Sequence, residues 1–246
     1  MPNKTTFRII GRGRVGLSLA ALLPQIGYQE TPELREPEIL FITTPDTAIS
    51  KTAELCAETL RPTVALHCSG AHGSELLDPL ARIGVAIGSL HPLRSFNTKL
   101  TKLEQLSGVY WCIEGEPKAV AVATEIVHKL SGQIIEISQG SKPLYHAAAV
   151  TACGHLVALL DMSVEMLMEC GLERSKALQV LLPLVNSTIE NLNNWGIERS
   201  LTGPFARKDY ETVITHLRAL TSAKGDYLSV YTALGRRSLA IKSRGI

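Results

Sequence analysis

Ile9-Ile10-Gly11-Arg12-Gly13-Arg14-Val15-Gly16 lies between an apolar run and an amphipathic helical pattern, and the reading of these eight residues decides the fold. Phe7 to Ile10 has the composition of a short buried strand, and apolar residues from Val15 to Ile26 recur at helical spacing. In a strand–turn–helix unit of this kind Gly11 permits the turn, Gly13 lets a ligand approach bare backbone, and Gly16 lets the helix pack on the strand. The unpaired N–H groups and dipole at the helix start attract a pyrophosphate. The spacing therefore predicts a dinucleotide-type turn formed by Gly11, Arg12, Gly13, Arg14, Val15 and Gly16, with the two arginines adding positive charge. The plain alternative is a glycine-rich turn that binds nothing.

The second βα unit, beyond this turn and its helix, is shortened. A complete mononucleotide half carries a second strand ending in an acid roughly 20 residues on, to grip the ribose hydroxyls, and then a further helix and strand. Tyr28 to Pro37 holds two prolines and several charged or amide side chains, which suits a surface loop with at most one strand stub. Glu30 is the nearby candidate for the ribose acid.

The chain has 246 residues, 45% of them apolar, enough for one large or two ordinary domains with a real core. A net charge of +2 with interspersed signs gives no reason to expect nucleic acid or an anionic membrane as partner. Cys56, Cys68, Cys112, Cys153 and Cys170 are odd in number and widely spaced, mostly in apolar surroundings, which suits reduced thiols and a cytoplasmic location. The N-terminus has no signal-type apolar region, and the longest apolar stretch, near Leu156 to Leu160, is broken by Asp161 and Glu165, so no membrane span is expected.

Five further strands are predicted at 38–43, 63–68, 85–90, 108–113 and 133–137, separated mostly by helices at 48–60, 74–83 and 117–130. That alternation implies a mostly parallel sheet covered on both faces, with room for an antiparallel edge. From about Gln139 the pattern becomes helical, with helices predicted at 142–170, 174–192, 210–222 and 227–241, the last two capped by Asp209 and Asp226. The expected domains are therefore 1–139, α/β, and 140–246, all-α. The length and wide apolar surface of the helix at 142–170 suggest burial against a second subunit, hence a homodimer.

In open α/β sheets ligands bind beyond the C-terminal ends of the strands. The residues placed there are the glycine turn, then Thr44, Pro45 and Asp46, then Ser69 and Gly70, then His91. Pro45 shapes its turn, and Asp46 is expected to cap the helix after it. Ser69 and Gly70 offer a hydroxyl and open backbone, or form an ordinary strand-to-helix turn. His91 precedes a proline that biases it to extended backbone, where an imidazole would bind or protonate a carbonyl oxygen near neutral pH. Lys142 and His146 are four residues apart on one helix face, fit to donate a proton or hold a substrate carboxylate, with Tyr145 as a third polar tip. A solvated first helical turn is the competing reading. Thr202, Gly203 and Arg207 shape a helix–helix turn that could take a substrate anion, or Arg207 could pair with Asp209. Trp111 and Trp195 read as packing residues.

Taken in order, the glycine turn, Thr44-Pro45-Asp46, His67-Cys68-Ser69-Gly70, Ser89-Leu90-His91-Pro92-Leu93, Lys142-Pro143-Leu144-Tyr145-His146, Leu182-Pro183-Leu184-Val185 and Thr202-Gly203-Pro204 resemble the Rossmann-like oxidoreductases whose helical C-terminal domain is related to 6-phosphogluconate dehydrogenase. The chain is also similar to pyrroline-5-carboxylate and ketopantoate reductases. The resemblance covers nearly the whole chain. It implies an NADP-binding N-terminal domain, with NAD as the alternative cofactor, a helical dimerising domain, and a cleft for a small-molecule substrate. The chain departs from the pattern in the shortened second βα unit, in Gly154 where an asparagine is usual, and in Lys208 where a glycine is usual. The expected function is hydride transfer between NADP and a small carbonyl or imine compound. The alternative is a non-catalytic relative that binds a ligand or partner and has lost tight cofactor binding.

Overall fold

The computed structural model describes residues 4–32, 35–138 and 140–244, so the expected boundary residue Gln139 lies outside the described part. The chain divides into two compact units, 1–153 and 154–246. Unit 1 is built on a seven-stranded sheet. In chain order its strands are β1 (Thr6–Ile10), β2 (Gln29–Glu30), β3 (Ile39–Ile42), β4 (Val64–His67), β5 (Ala86–Pro92), β6 (Tyr110–Gly115) and β7 (Gln133–Ile135). In space they run β2-β1-β3-β4-β5-β6-β7, every pair parallel except β5 with β6. The expected antiparallel edge is thus the β6–β7 pair, which runs opposite to the other five strands.

The helices of unit 1 are α1 (Arg14–Leu22), α2 (Asp46–Thr59), α3 (Asp78–Ala81), α4 (Pro117–Lys129) and α5 (Lys142–Ala152). Alternation along the central strands sends side chains to two cores, one on each face of the sheet. Phe7, Ile9 and Phe41 join Leu19 and Leu22 of α1 and Ile126 of α4 on one face. Leu40 and Ile42 join Ile49 and Ala53 of α2 and Leu80 of α3 on the other. Trp111 is fully buried in the first core, as expected of a packing residue.

The shortened second βα unit takes a specific form. β2 is two residues long and pairs with β1 in parallel, Thr6 opposite Gln29 and Phe7 opposite Glu30. It then leads to β3 without a helix. The Arg8 guanidinium donates to the carbonyls of Pro32 and Arg35, so backbone of the β2–β3 loop is held by a charged donor in place of a packed crossover.

Unit 2 is helical: α6 (Gly154–Glu169), α7 (Arg174–Ser200), α8 (Gly203–Arg207), α9 (Tyr210–Ser222) and α10 (Leu228–Arg244). α6 packs on α7, and α10 on α7, α8 and α9. α7 continues past its expected end, with a break at Gly196, whose φ of 71° is left-handed. Asp209 caps α9 as expected, accepting the Thr212 N–H at 3.1 Å. Trp195 is not a core residue; it is 53% exposed, with the Arg199 guanidinium 4.7 Å above its ring.

The continuous helix expected over 142–170 is two helices, broken at Cys153, where φ is −114° and ψ −70°. The segment Lys142–Glu169 contains an 18-residue window with the length and mean hydropathy, 1.6, of a membrane span, which corrects the expectation that no stretch qualifies. Its first residue, Lys142, is buried in unit 1, an unsuitable start for a span. The five cysteines are free thiols; Cys56 and Cys112 are buried, and Cys153 and Cys170 are exposed.

Candidate functional site

The C-terminal ends of β1, β3, β4 and β5 carry the site. Gly11 adopts φ +101°, and a Cβ there would come within 2.5 Å of the Thr43 and Thr44 backbone. Gly16 is closer still: a Cβ would overlap the Gly11 carbonyl oxygen and the Thr43 hydroxyl. Gly13 differs from both. It is the N-cap of α1, with no side-chain cap and no acid in the first turn, and nothing lies within 4 Å of a Cβ built on it. The helix start therefore keeps unpaired donors facing open space. Beside it the Thr44 Oγ1 is buried and lacks a hydrogen-bond partner among the described residues. Val15 packs on the core, Arg14 donates to the Phe96 carbonyl at 3.2 Å, and Arg12 is paired with Glu30 at the end of β2.

Pro45 is the N-cap of α2, and Asp46 is its first residue rather than its cap. The Asp46 carboxylate instead accepts the Ser69 hydroxyl at 2.9 Å. The same hydroxyl oxygen accepts N–H groups from Ala71 and His72, each at 3.2 Å, which fixes the turn after β4. His67, fully buried at the end of β4, closes that turn. Its Nδ1 accepts the Ser69 N–H at 3.1 Å and its Nε2 donates to the Gly73 carbonyl at 2.8 Å. Burial, then the nearby Lys142 charge, lower its pKa to about 4, so the ring is neutral at physiological pH.

Over this turn lie His91 from β5 and the first turn of α5. His91 Nδ1 is 2.8 Å from the Tyr145 hydroxyl, and the His146 ring meets the His91 ring edge-on at 5.8 Å. Both imidazoles press on Gly70: a Cβ there would lie 2.5 Å from His146 Cδ2 and 2.7 Å from His91 Nε2. Burial, followed by the charges of Lys142 and His146, lowers the His91 pKa to about 4. An imidazole that titrates there is neutral at physiological pH.

Lys142 does not lie in a solvated turn. Only 4% exposed, its ammonium donates to the Ser69 carbonyl at 3.1 Å and to the Ser89 hydroxyl, and lies 3.8 Å from the Glu114 carboxylate. Burial lowers its pKa and Glu114 opposes the shift. Ser89 and Glu114 are cross-strand partners on β5 and β6, so their side chains share one face of the sheet. A cavity of about 650 Å³ adjoins this cluster, lined among others by His72, Glu75, Asp78, Glu114 and Lys142.

Ser69, Gly70, His91, Lys142 and His146, expected from the sequence, thus meet in unit 1, at the sheet edge that bears the glycine turn. Thr202, Gly203 and Arg207 belong to unit 2, where Thr202 is the N-cap of α8 and Arg207 lies in its last turn. His67, Ser89 and Glu114 were not foreseen as part of the site. The position of His67 at a strand end was the available signal; the Ser89–Glu114 pairing depends on a strand register that no spacing reveals.

The sheet order, the glycine turn and the helical second unit define a Rossmann-like α/β protein with an all-helical C-terminal region. The chain belongs to the family described as "Domain of unknown function (DUF2520)", matched over residues 109–238. No curated protein matches it. Among solved structures it is similar to TM1727 from Thermotoga maritima, at 24% identity over 97% of this chain and 99% of that one, with a TM-score of 0.79. It is also similar to BF3122 from Bacteroides fragilis, a provisionally assigned NADP oxidoreductase, at 19% identity over 96% and 98% of the two chains and a TM-score of 0.77. A Plasmodium falciparum pyrroline carboxylate reductase with NADP bound shares the fold at a TM-score of 0.60, with 11% identity over 98% and 99% of the two chains.

Proposed function

We propose that this protein is a reductase that moves a hydride between NADP and a small carbonyl or imine substrate, with NAD as the alternative cofactor. One observation carries the reading: the uncapped head of α1 at Gly13 opens on the same sheet edge where Ser69, Gly70, His91, Tyr145 and His146 converge. A diphosphate fits the α1 head because donors there are unpaired, Gly13 leaves the approach clear and no carboxylate of the first turn opposes it. The orphaned Thr44 hydroxyl supplies one more donor for the cofactor. Bound there, NADP supplies the hydride.

The chain's own residues hold and shape the site. Asp46 and His67 fix the turn carrying Ser69 and Gly70, and Lys142 ties that turn to β5 and β6 through Ser69, Ser89 and Glu114. With its ammonium engaged by these groups, Lys142 provides a fixed positive field beside the substrate. His91 and His146 line the side that the substrate meets.

A homodimer through unit 2 is part of the proposal. Leu178, Leu184, Ile189, Trp195 and Ile197 of α7 are each 41–64% exposed, while Val164, Ala177 and Tyr227 are the buried apolar side chains of unit 2 among the described residues. So small a core needs a covering surface. The non-catalytic alternative draws on the two-residue β2 and the Arg12–Glu30 pair, which together leave a slight wall for the adenosine. Calorimetric titration with NADPH separates the two readings. Micromolar binding that Gly13→Asp abolishes supports the reductase, and no heat at millimolar NADPH refutes it.

A further inference from the structure

We propose that Tyr145 holds His91 as the neutral tautomer with its proton on Nε2, which makes His91 a hydrogen-bond donor to the oxygen of an aldehyde or ketone substrate. The inference rests on the reductase reading and narrows its substrate class.

Tyr145 reaches His91 from α5, its hydroxyl 2.8 Å from Nδ1, and it has no other hydrogen-bond partner among the described residues. Of the two groups the phenol is the better proton donor and the imidazole nitrogen the better acceptor, so the hydroxyl donates and Nδ1 accepts. A neutral imidazole carries one proton, which this bond assigns to Nε2. That nitrogen has no partner among the described residues. It flanks Gly70, at the sheet edge where a ligand is expected.

The groups facing the ring keep it neutral. Lys142 and His146 come from α5, His67 from β4 and Asp46 from the head of α2, while Cys112 of β6 is its cross-strand partner. Of these only Asp46 favours the imidazolium, against burial and the positive charge of Lys142.

A neutral N–H in a partly buried site stabilises negative charge developing on a carbonyl oxygen. Hydride delivery to the carbonyl carbon moves the C=O π pair onto oxygen, with the reduced nicotinamide as two-electron donor. The His91 N–H holds that oxygen until a proton from solvent completes the alcohol, and His91 keeps its own proton throughout. A protonated imine has no lone pair to accept the N–H, and the Lys142 ammonium disfavours its charge. The site therefore selects carbonyl compounds over iminium ions.

The test uses the full-length protein with 15N-labelled histidine, read by two-bond 1H–15N NMR. Wild type at pH 7 is expected to show His91 with a pyrrole-type Nε2 and a pyridine-type Nδ1. In Tyr145→Phe the His91 midpoint should rise by roughly half to one pH unit, because the lost bond favoured the neutral ring. A fall would mean that Nδ1 donates to Tyr145, and it overturns the proposal, as does an Nδ1–H tautomer or a protonated ring in wild type. The wild-type spectrum decides the tautomer even if the variant does not fold. Substrate class is read by NADPH oxidation with 2-oxo acids and simple aldehydes against cyclic imines. Turnover of carbonyl compounds supports the assignment and turnover of imines alone overturns it. NADPH binding by calorimetry on the same sample reads the reductase proposal separately: its absence beside an Nε2–H His91 sinks the reductase and its substrate class, leaving the tautomer assignment standing.

Discussion

Alanine at Gly16 and alanine at Gly13 should fail in different ways, because the two glycines are required by different neighbours. At Gly16 the new methyl would overlap the Gly11 carbonyl and the Thr43 hydroxyl, groups of the β1–α1 turn and the end of β3 that pack directly on α1. Both belong to elements fixed by the sheet, so relief requires α1 to lift off β1, an overpacking penalty of about 3 kcal/mol. At Gly13 the methyl meets nothing within 4 Å, and φ of −72° with ψ of −174° is extended backbone that alanine adopts freely. The cost there is the difference between glycine and alanine as an N-cap, about 1 kcal/mol or less. Urea unfolding followed by Trp111 fluorescence, in a Trp195→Phe background, reports on unit 1. With a slope of roughly 2 kcal/mol per molar urea, Gly16→Ala should lower the midpoint by more than ~1 M and Gly13→Ala by less than ~0.5 M. NADPH affinity should nevertheless fall in Gly13→Ala, whose methyl occupies the approach to the α1 amides. Equal destabilisation by the two variants, or a Gly16→Ala protein as stable as wild type, would refute the packing argument.

Lys142→Met should cost about 2 kcal/mol in unit 1, since it leaves the Ser69 carbonyl, the Ser89 hydroxyl and the Glu114 carboxylate without their cation while sparing the desolvation of the ammonium; chemical denaturation checks it. Stability should also fall on acidification. His67 and His91 titrate near pH 4 in the folded chain and near 6.5 when unfolded, so the unfolded state binds more protons between those values. Their contribution is fully present above about pH 6.5 and is lost as pH falls toward 4, with a slope approaching ~1.4 kcal/mol per pH unit for each histidine. His67→Gln should flatten that profile in urea titrations, and an unchanged slope would contradict the neutral assignment. Asp209→Ala removes both bonds to Thr212 and should destabilise α9 by about 1 kcal/mol, measured as lost hydrogen-exchange protection in its first turn.

The central strands and most helices were legible because burial leaves a pattern: β3 and β4 are short runs buried at every position, and α2 and α4 carry apolar side chains at three- and four-residue steps. β2 gave little signal, since two residues held by main-chain bonds to β1 need no apolar side chain. The break at Cys153 was hidden because both flanks keep helical apolar spacing. The rim residues after β1, β3, β4 and β5 followed from strand ends alone. Their partners did not: the seat of Lys142 depends on Ser89 meeting Glu114 across an antiparallel pair, the neutrality of His91 depends on burial and on the Lys142 charge, and its Tyr145 contact joins residues far apart in the chain.

The central claim is that a dinucleotide lies with its diphosphate on the α1 amides and its nicotinamide toward Gly70. A crystal structure of the protein grown with NADPH tests it most directly. The account predicts phosphate oxygens within hydrogen-bond distance of the N–H groups following Gly13, and the nicotinamide ring beside Gly70 and His91. A cofactor bound elsewhere on the chain, or an α1 head that stays empty at saturating NADPH, would contradict it.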